Sequence, residues 1–203
     1  MQIFFQNSHA RNKEVSIKSI DKEGPACSDK TTAEIITASS GRGKGRNYFE
    51  IIYDDFLVES DYPNTKSGKG TWCQLAIHLK LPKRTKLIAT RLHSQIAGFL
   101  QLSGKGRAHI KTEIGINSDY DMDLSLNKTL KPNYEGFDNF VINDSSKVKN
   151  PNPRCGKATL YIKTRIGLSR LQEIEDDFAL FQIDESTGYF RQSLDVELQG
   201  CRR

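Results

Sequence analysis

Across most of this chain, apolar and other residues alternate with a period of two, a rhythm that a strand can use and a helix cannot. Cys73, Leu75, Ile77, Leu79 and Leu81 alternate with Gln74, Ala76, His78 and Lys80. Ala108, Ile110, Thr112, Ile114 and Ile116 repeat the pattern, as do Ala158, Leu160, Ile162, Thr164 and Ile166, and then Leu194, Val196 and Leu198. Successive side chains of a strand point to opposite faces, so each segment has one wet and one buried face. Antiparallel sheets packed in pairs have this habit. Tyr48 to Val58 differs: Phe49, Ile51 and Tyr53 share one face while Ile52, Phe56 and Val58 share the other, which predicts a central strand covered on both sides.

Turn residues divide these runs. Leu92 to Ile116 reads as a hairpin turning at Ser103-Gly104-Lys105-Gly106, and Phe178 to Gly200 as a second turning at Glu185-Ser186-Thr187-Gly188. Pro151 and Pro153 mark an extended connection. Ser169 to Asp177 is the one helix candidate, with Ser169 and Gln172 resembling a capping box. Residues 1–26 read as a polar arm with a strand at Val15 to Ile20, and residues 27–203 as a single domain. The expected fold is all-β: a two-sheet antiparallel β-sandwich, jelly-roll or Ig-like, of about nine to ten strands. At 203 residues the chain is long enough to enclose a real core.

The four cysteines form two evenly spaced sets. Cys27 and Cys73 are 46 residues apart, as are Cys155 and Cys201. An even count without a Cys-x-x-Cys pair points to disulfides and an oxidising compartment rather than to zinc, whose ligands usually include a close pair. Three connectivities are open. The simplest joins Cys27 to Cys73 and Cys155 to Cys201. Export is in tension with the amino end, where Ile3-Phe4-Phe5 is far short of a signal peptide's apolar core of ~7–15 residues. The favoured reading places a signal upstream of this chain, with the protein secreted or periplasmic. No stretch approaches the ~20 apolar residues of a membrane span.

The order Cys27, Tyr53-Asp54-Asp55-Phe56-Leu57-Val58, Cys73-Gln74-Leu75-Ala76-Ile77-His78-Leu79, Ile96-Ala97-Gly98-Phe99, Cys155 and Ser193 to Cys201 resembles an uncharacterised family of small secreted proteins of bacteria and fungi, domain of unknown function family 4360. The resemblance covers roughly residues 27–201, and the Cys-Gln-Leu strand is its most specific part. Cys27-Ser28 stands where the family often has Cys-Pro, and Gln199-Gly200 where it often has a tryptophan. The resemblance implies export, a β-rich fold and paired cysteines. It brings no catalytic motif.

Chemistry-bearing residues are sparse. Gly43-Lys44-Gly45, Gly68-Lys69-Gly70 and Gly104-Lys105-Gly106 read as hairpin tips; two or three of them at one end of the sandwich would form a cationic rim. Arg42, Lys44, Arg46, Lys69, Lys105 and Arg107 are the candidate contacts for an anionic partner. The net charge of +5 fits mild attraction to such a surface. Asp119, Asp121 and Asp123 begin like a calcium loop but lack its glycine and glutamate, and read as a solvated strand face. Asp54, Asp55, Glu59 and Asp61 form a second acidic group. His78 and His109 occupy polar faces, His9 and His93 lie elsewhere, and Trp72 is expected in the core beside Cys73. No catalytic, cofactor or metal site is predicted. The function expected is a binding or structural protein at a cell surface, meeting a protein or anionic glycan through its Gly/Lys-rich loops. A polysaccharide or peptidoglycan hydrolase is the alternative. A basic nucleic-acid binder comes third and requires four free thiols.

Overall fold

A computed structural model describes residues 15–28, 31–38, 46–53, 56–61, 70–101, 106–119, 121–131, 137–169, 178–183 and 189–201. The strands are β1 (Ser16–Glu23), β2 (Thr32–Ala38), β3 (Arg46–Tyr53), β4 (Phe56–Asp61), β5 (Gly70–Lys80), β6 (Thr85–Gln101), β7 (Arg107–Ile116), β8 (Asp123–Leu130), β9 (Phe137–Lys149), β10 (Lys157–Ser169), β11 (Phe178–Ile183) and β12 (Tyr189–Gly200). All pairings are antiparallel. The back sheet has the order β1-β5-β10-β7-β8. In the front sheet β2, β3 and β12 lead to β6, whose other edge carries β9.

Two pairs of front-sheet segments share a path. β12 runs along β6 from Ala97 to Thr85, and β11 continues the same line along Phe99–Gln101. β3 and β4 follow them as one interrupted neighbour. The twelve segments therefore occupy ten strand paths, five in each sheet. From β3/β4 onward the chain passes front, back, front, back, back, front, back, front. With the neighbour orders β3-β12-β6-β9 and β5-β10-β7-β8, that winding is a jelly roll, and β1 and β2 each add an edge strand.

Both predicted hairpins are corrected by this topology. β6 and β7, the arms of the first, lie in opposite sheets, and their connection crosses the sandwich. β11 and β12 do not pair with each other; they lie in line along β6. Sheet-crossing and hairpin-linked strands carry the same alternation and the same turn residues, so periodicity does not separate them. Ser169 ends β10, and the rest of the helix candidate lies outside the described residues.

The alternation itself is realised as expected. Along β5 and β10 every second side chain is buried. The predicted strand at the amino end forms as β1, paired with β5 from Ser16 to Glu23. Phe49, Ile51 and Tyr53 of β3 enter the core, but Ile52 and Glu50 on the outer side are only half-buried. That strand lies inside the sheet without being covered on both faces. Trp72 also differs from expectation: it stands on the outer side of β5, half-buried, with Lys163 Nζ 3.9 Å from its ring centre. Cys73, next along the strand, takes the inward position, so the pleat sends Trp72 out.

Both disulfides form in the simplest pairing, Cys27–Cys73 and Cys155–Cys201. The first ties the crossing between β1 and β2 to a buried position of β5. The second joins the end of β12 in the front sheet to the start of β10 in the back sheet, closing one end of the sandwich. In the chain-entropy account, a loop of this length contributes roughly 4 kcal/mol.

Candidate functional site

β6 builds the candidate site. Leu92, Ser94 and Ile96 point inward while Arg91, His93 and Gln95 point outward, so the front sheet's outer face is polar along its central strand. Register carries that polarity across the sheet. Glu50 of β3 opposes Ser193 of β12, which opposes His93 of β6, which opposes Ser145 of β9. In the adjoining row Arg191 opposes Gln95, and Gln95 opposes Asn143. These side chains line a groove of about 580 Å3 in which every lining residue is polar.

The groove's charges offset one another: Glu50 and Asp144 are acidic, Arg191 is basic, and His93 Nε2 lies 3.4 Å from Asp195 Oδ2. Asp144 is already engaged. Lys128 Nζ lies 3.0 Å from its Oδ2, and the Ser145 backbone N–H donates to Oδ1 at 2.8 Å. The Lys128 ammonium holds the Asp144 carboxyl below its ordinary range, assisted by the Ser145 N–H and opposed by partial desolvation. Lys128 belongs to β8, so this contact also fastens the edge strand β9 to the back sheet, as does the bond between the Ser125 and Ser146 hydroxyls.

Directly beneath the groove lies a buried polar network. The Tyr53 hydroxyl donates to Gln192 Oε1 at 2.9 Å, and Gln192 Nε2 donates to Thr112 Oγ1 at 3.1 Å and Ser94 Oγ at 3.3 Å. Thr112 and Thr164 hydroxyls meet at 3.1 Å. Burial pushes the Tyr53 phenol well above its ordinary value, so it stays a neutral donor. Gln192 sits between Arg191 and Ser193. Anchoring its side chain to both sheets therefore fixes the register at which its two neighbours face the groove.

Of the predicted contact residues, Arg46 and Arg107 are described, and neither lines this groove. Arg42, Lys44, Lys69 and Lys105 lie outside the described residues, as do His9, Asp54 and Asp55. Arg46 opens β3, and Arg107 opens β7, where its guanidinium donates to the Gly106 carbonyl at 2.6 Å. Topology separates the strand ends that flank the glycine–lysine segments. The strand ends flanking Lys69 and Lys105 (Asp61 and Gly70, Gln101 and Arg107) lie where β6 finishes, and those flanking Lys44 (Ala38 and Arg46) lie toward its start. Asp119 and Asp121 sit in the β7–β8 connection and only Asp123 is in a strand, so the three do not share a strand face. His78 and His109 are separated by β10, and each bonds a threonine hydroxyl through Nδ1. Among the described residues, no three His, Cys, Asp or Glu side chains form a metal-binding group.

The family model for a domain of unknown function (DUF4360) matches residues 13–201, and the chain belongs to that family. No curated protein is significantly similar to it. Among solved structures, one similar chain is TmCBM61 in complex with β-1,4-galactotriose: 14% identity over 82% of this chain and 90% of that one, with a TM-score of 0.20. A second comes from a study of carbohydrate-binding modules of the β-sandwich superfamily: 10% identity over 89% and 56%, with a TM-score of 0.28. Likenesses at these scores say nothing about a ligand here.

Proposed function

We propose that this DUF4360 member works outside the reducing cytosol as a binding protein, taking a neutral, hydroxyl-rich glycan on the outer face of its front sheet. One observation carries the reading: the groove across β3, β12, β6 and β9 offers amide, hydroxyl, guanidinium and carboxylate groups, with no apolar residue among those that line it and charges of both signs. Such a surface exchanges hydrogen bonds with a polyol and has little to offer an apolar ligand. Two disulfides support a secreted or periplasmic location. They also count against a cytosolic nucleic-acid binder.

Hydrolysis finds less support. Glu50 and Asp144 stand on β3 and β9 with two strands between them, a backbone separation of roughly 14 Å at the usual strand spacing. Paired carboxylates of glycosidases work at about 5–9.5 Å. Asp144, held ionised by Lys128, is also a poor proton donor. Arg42, Lys44, Arg46, Lys69, Lys105 and Arg107 remain proposed contacts for an anionic partner.

Affinity electrophoresis against a panel of neutral polysaccharides tests the groove. Retardation of the wild type that persists in 0.5 M salt (roughly, enough to screen exposed charges) is expected. The variant Q95A/N143A, both exposed positions, should lose at least about tenfold in affinity with an unchanged Tm. Full binding by that variant, or failure of every neutral glycan to bind, would overturn the proposal.

A further inference from the structure

On the opposite sheet, at the end closed by Cys155–Cys201, four cations converge on one cleft of about 790 Å3: Lys18 of β1, Lys80 of β5, and Arg154 and Lys157 flanking Cys155-Gly156. Lys80 and Lys157 are direct cross-strand partners. Like charges placed opposite one another repel and destabilise a strand pair. Among the described residues none of these four has an ion-pair partner. Cations elsewhere on the back sheet's outer face are matched, Lys111 and Arg165 to Glu113 at 2.7 and 3.4 Å, and Lys163 to the Trp72 ring. The carboxylate that touches the lining, Asp21, is taken by His78 Nε2 at 2.9 Å.

The cleft is also rigidly built. The disulfide pins the Arg154–Lys157 segment, and Gly156, in the left-handed region at φ 80°, donates its N–H to the Thr85 carbonyl at 2.8 Å and accepts from Leu81 N–H at 3.1 Å. Asn117 clamps Thr159 from both sides, N–H to carbonyl at 2.8 Å and side-chain oxygen to N–H at 3.1 Å. Four cations without an ion-pair partner among the described residues, on a fixed frame, describe a receptor for negative charge.

We propose that this cleft binds the sulfate or phosphate groups of an anionic polysaccharide. The hydroxyls of Ser19, Thr159 and Tyr161 line it beside the cations and suit sugar hydroxyls. Its aromatic rings are Tyr161 and the His78 imidazole, the latter held by Thr159 and Asp21, short of the interleaved stacking platforms of single-strand nucleic-acid sites. The large apolar residues exposed among the described ones, Leu57, Leu124 and Val141, lie outside the lining, so no greasy rim marks a membrane surface. This site is on the other sheet from the neutral-glycan groove and does not depend on it.

Calorimetric titration of the intact, oxidised protein with a size-defined dextran sulfate oligosaccharide tests the assignment. Saturable binding is expected, weakened about tenfold or more in K80Q/K157Q and less than twofold in K131Q/K149Q, an equal charge change at exposed lysines outside the cleft. Q95A/N143A should bind as the wild type does. Equal weakening in both lysine doubles would reduce the effect to diffuse attraction and overturn the site. So would absence of binding by the wild type, an inorganic sulfate affinity matching the oligosaccharide's, or tighter binding of a single-stranded oligonucleotide of equal charge.

Discussion

Gln192 is fully buried, and its carboxamide is satisfied by partners from both sheets. A buried polar group without a partner costs about 1–3 kcal/mol, far more than a formed bond contributes net. Gln192→Leu removes the acceptor of the Tyr53–Gln192 bond and the amide donor to Thr112 and Ser94, and should lower unfolding free energy by about 2–3 kcal/mol. Tyr53→Phe breaks the same bond from the other side, so the double variant should lose less than the sum of the two singles, by about 1 kcal/mol, read by denaturant titration. Losses that simply add would show that the two side chains are not coupled. Asp144 gives a prediction of opposite character, at the surface. Its folded pKa is depressed, so the stability it contributes is present above the unfolded carboxylate value near ~4 and fades as pH falls through the lower folded value. Lys128→Met should return the Asp144 carboxyl toward its ordinary range by NMR titration. The stability gap between wild type and variant should close on acidification.

At the level of elements, what the sequence yields and what it withholds have separate physical causes. Alternation sets which face of β5, β7, β10 and β12 is buried, because a one-residue slip would turn every side chain over. It even marks the polar core, since Thr112 and Thr164 fall on the apolar side of their strands. Partner choice is a different matter: β6 shares its pattern with β7 but pairs with β9, β12 and β11, a fact set by packing across the sandwich. The groove has no signature in the sequence for the same reason. Its rows join β3, β12, β6 and β9, strands far apart in sequence, and no local spacing announces them. One local feature has a sharp consequence for β7 and β8. A Cβ on Gly115 would lie 2.2 Å from the Ser118 carbonyl oxygen, inside any tolerable contact. Gly115→Ala must open that turn and should destabilise by about 1–3 kcal/mol. Hydrogen exchange is expected to accelerate first in β8, an edge strand held by β7 alone in its sheet. Uniform acceleration over both sheets would contradict that order.

For the molecule as a whole, the two disulfides close loops of equal length, so chain entropy alone assigns them equal weight. Their surroundings do not. Cys73 is fully buried in the core and Cys27 half-buried, whereas Cys155 is exposed and Cys201 half-buried at the end of the sandwich. A reductant needs access to sulfur, so Cys155–Cys201 should open first, while the native jelly roll still shields its counterpart. The backbone bond from Gly156 N–H to the Thr85 carbonyl, 2.8 Å, would still join the two sheets afterwards, and that from Cys201 N–H to the Arg84 carbonyl, also 2.8 Å, would hold the end of β12 to the start of β6. Limited reduction followed by alkylation and mass mapping should therefore give a folded intermediate labelled only at Cys155 and Cys201. With a stabilisation of up to about 4 kcal/mol removed and about 2–4 °C of Tm per kcal/mol for a chain of this size, its Tm should fall by at most about 8–16 °C. Loss of the pin on Arg154 and Lys157 should weaken dextran sulfate in the same species while leaving neutral-glycan binding intact. Labelling that begins at Cys27 and Cys73, or reaches all four sulfurs together, would mean that the end of the sandwich and its core open as one unit.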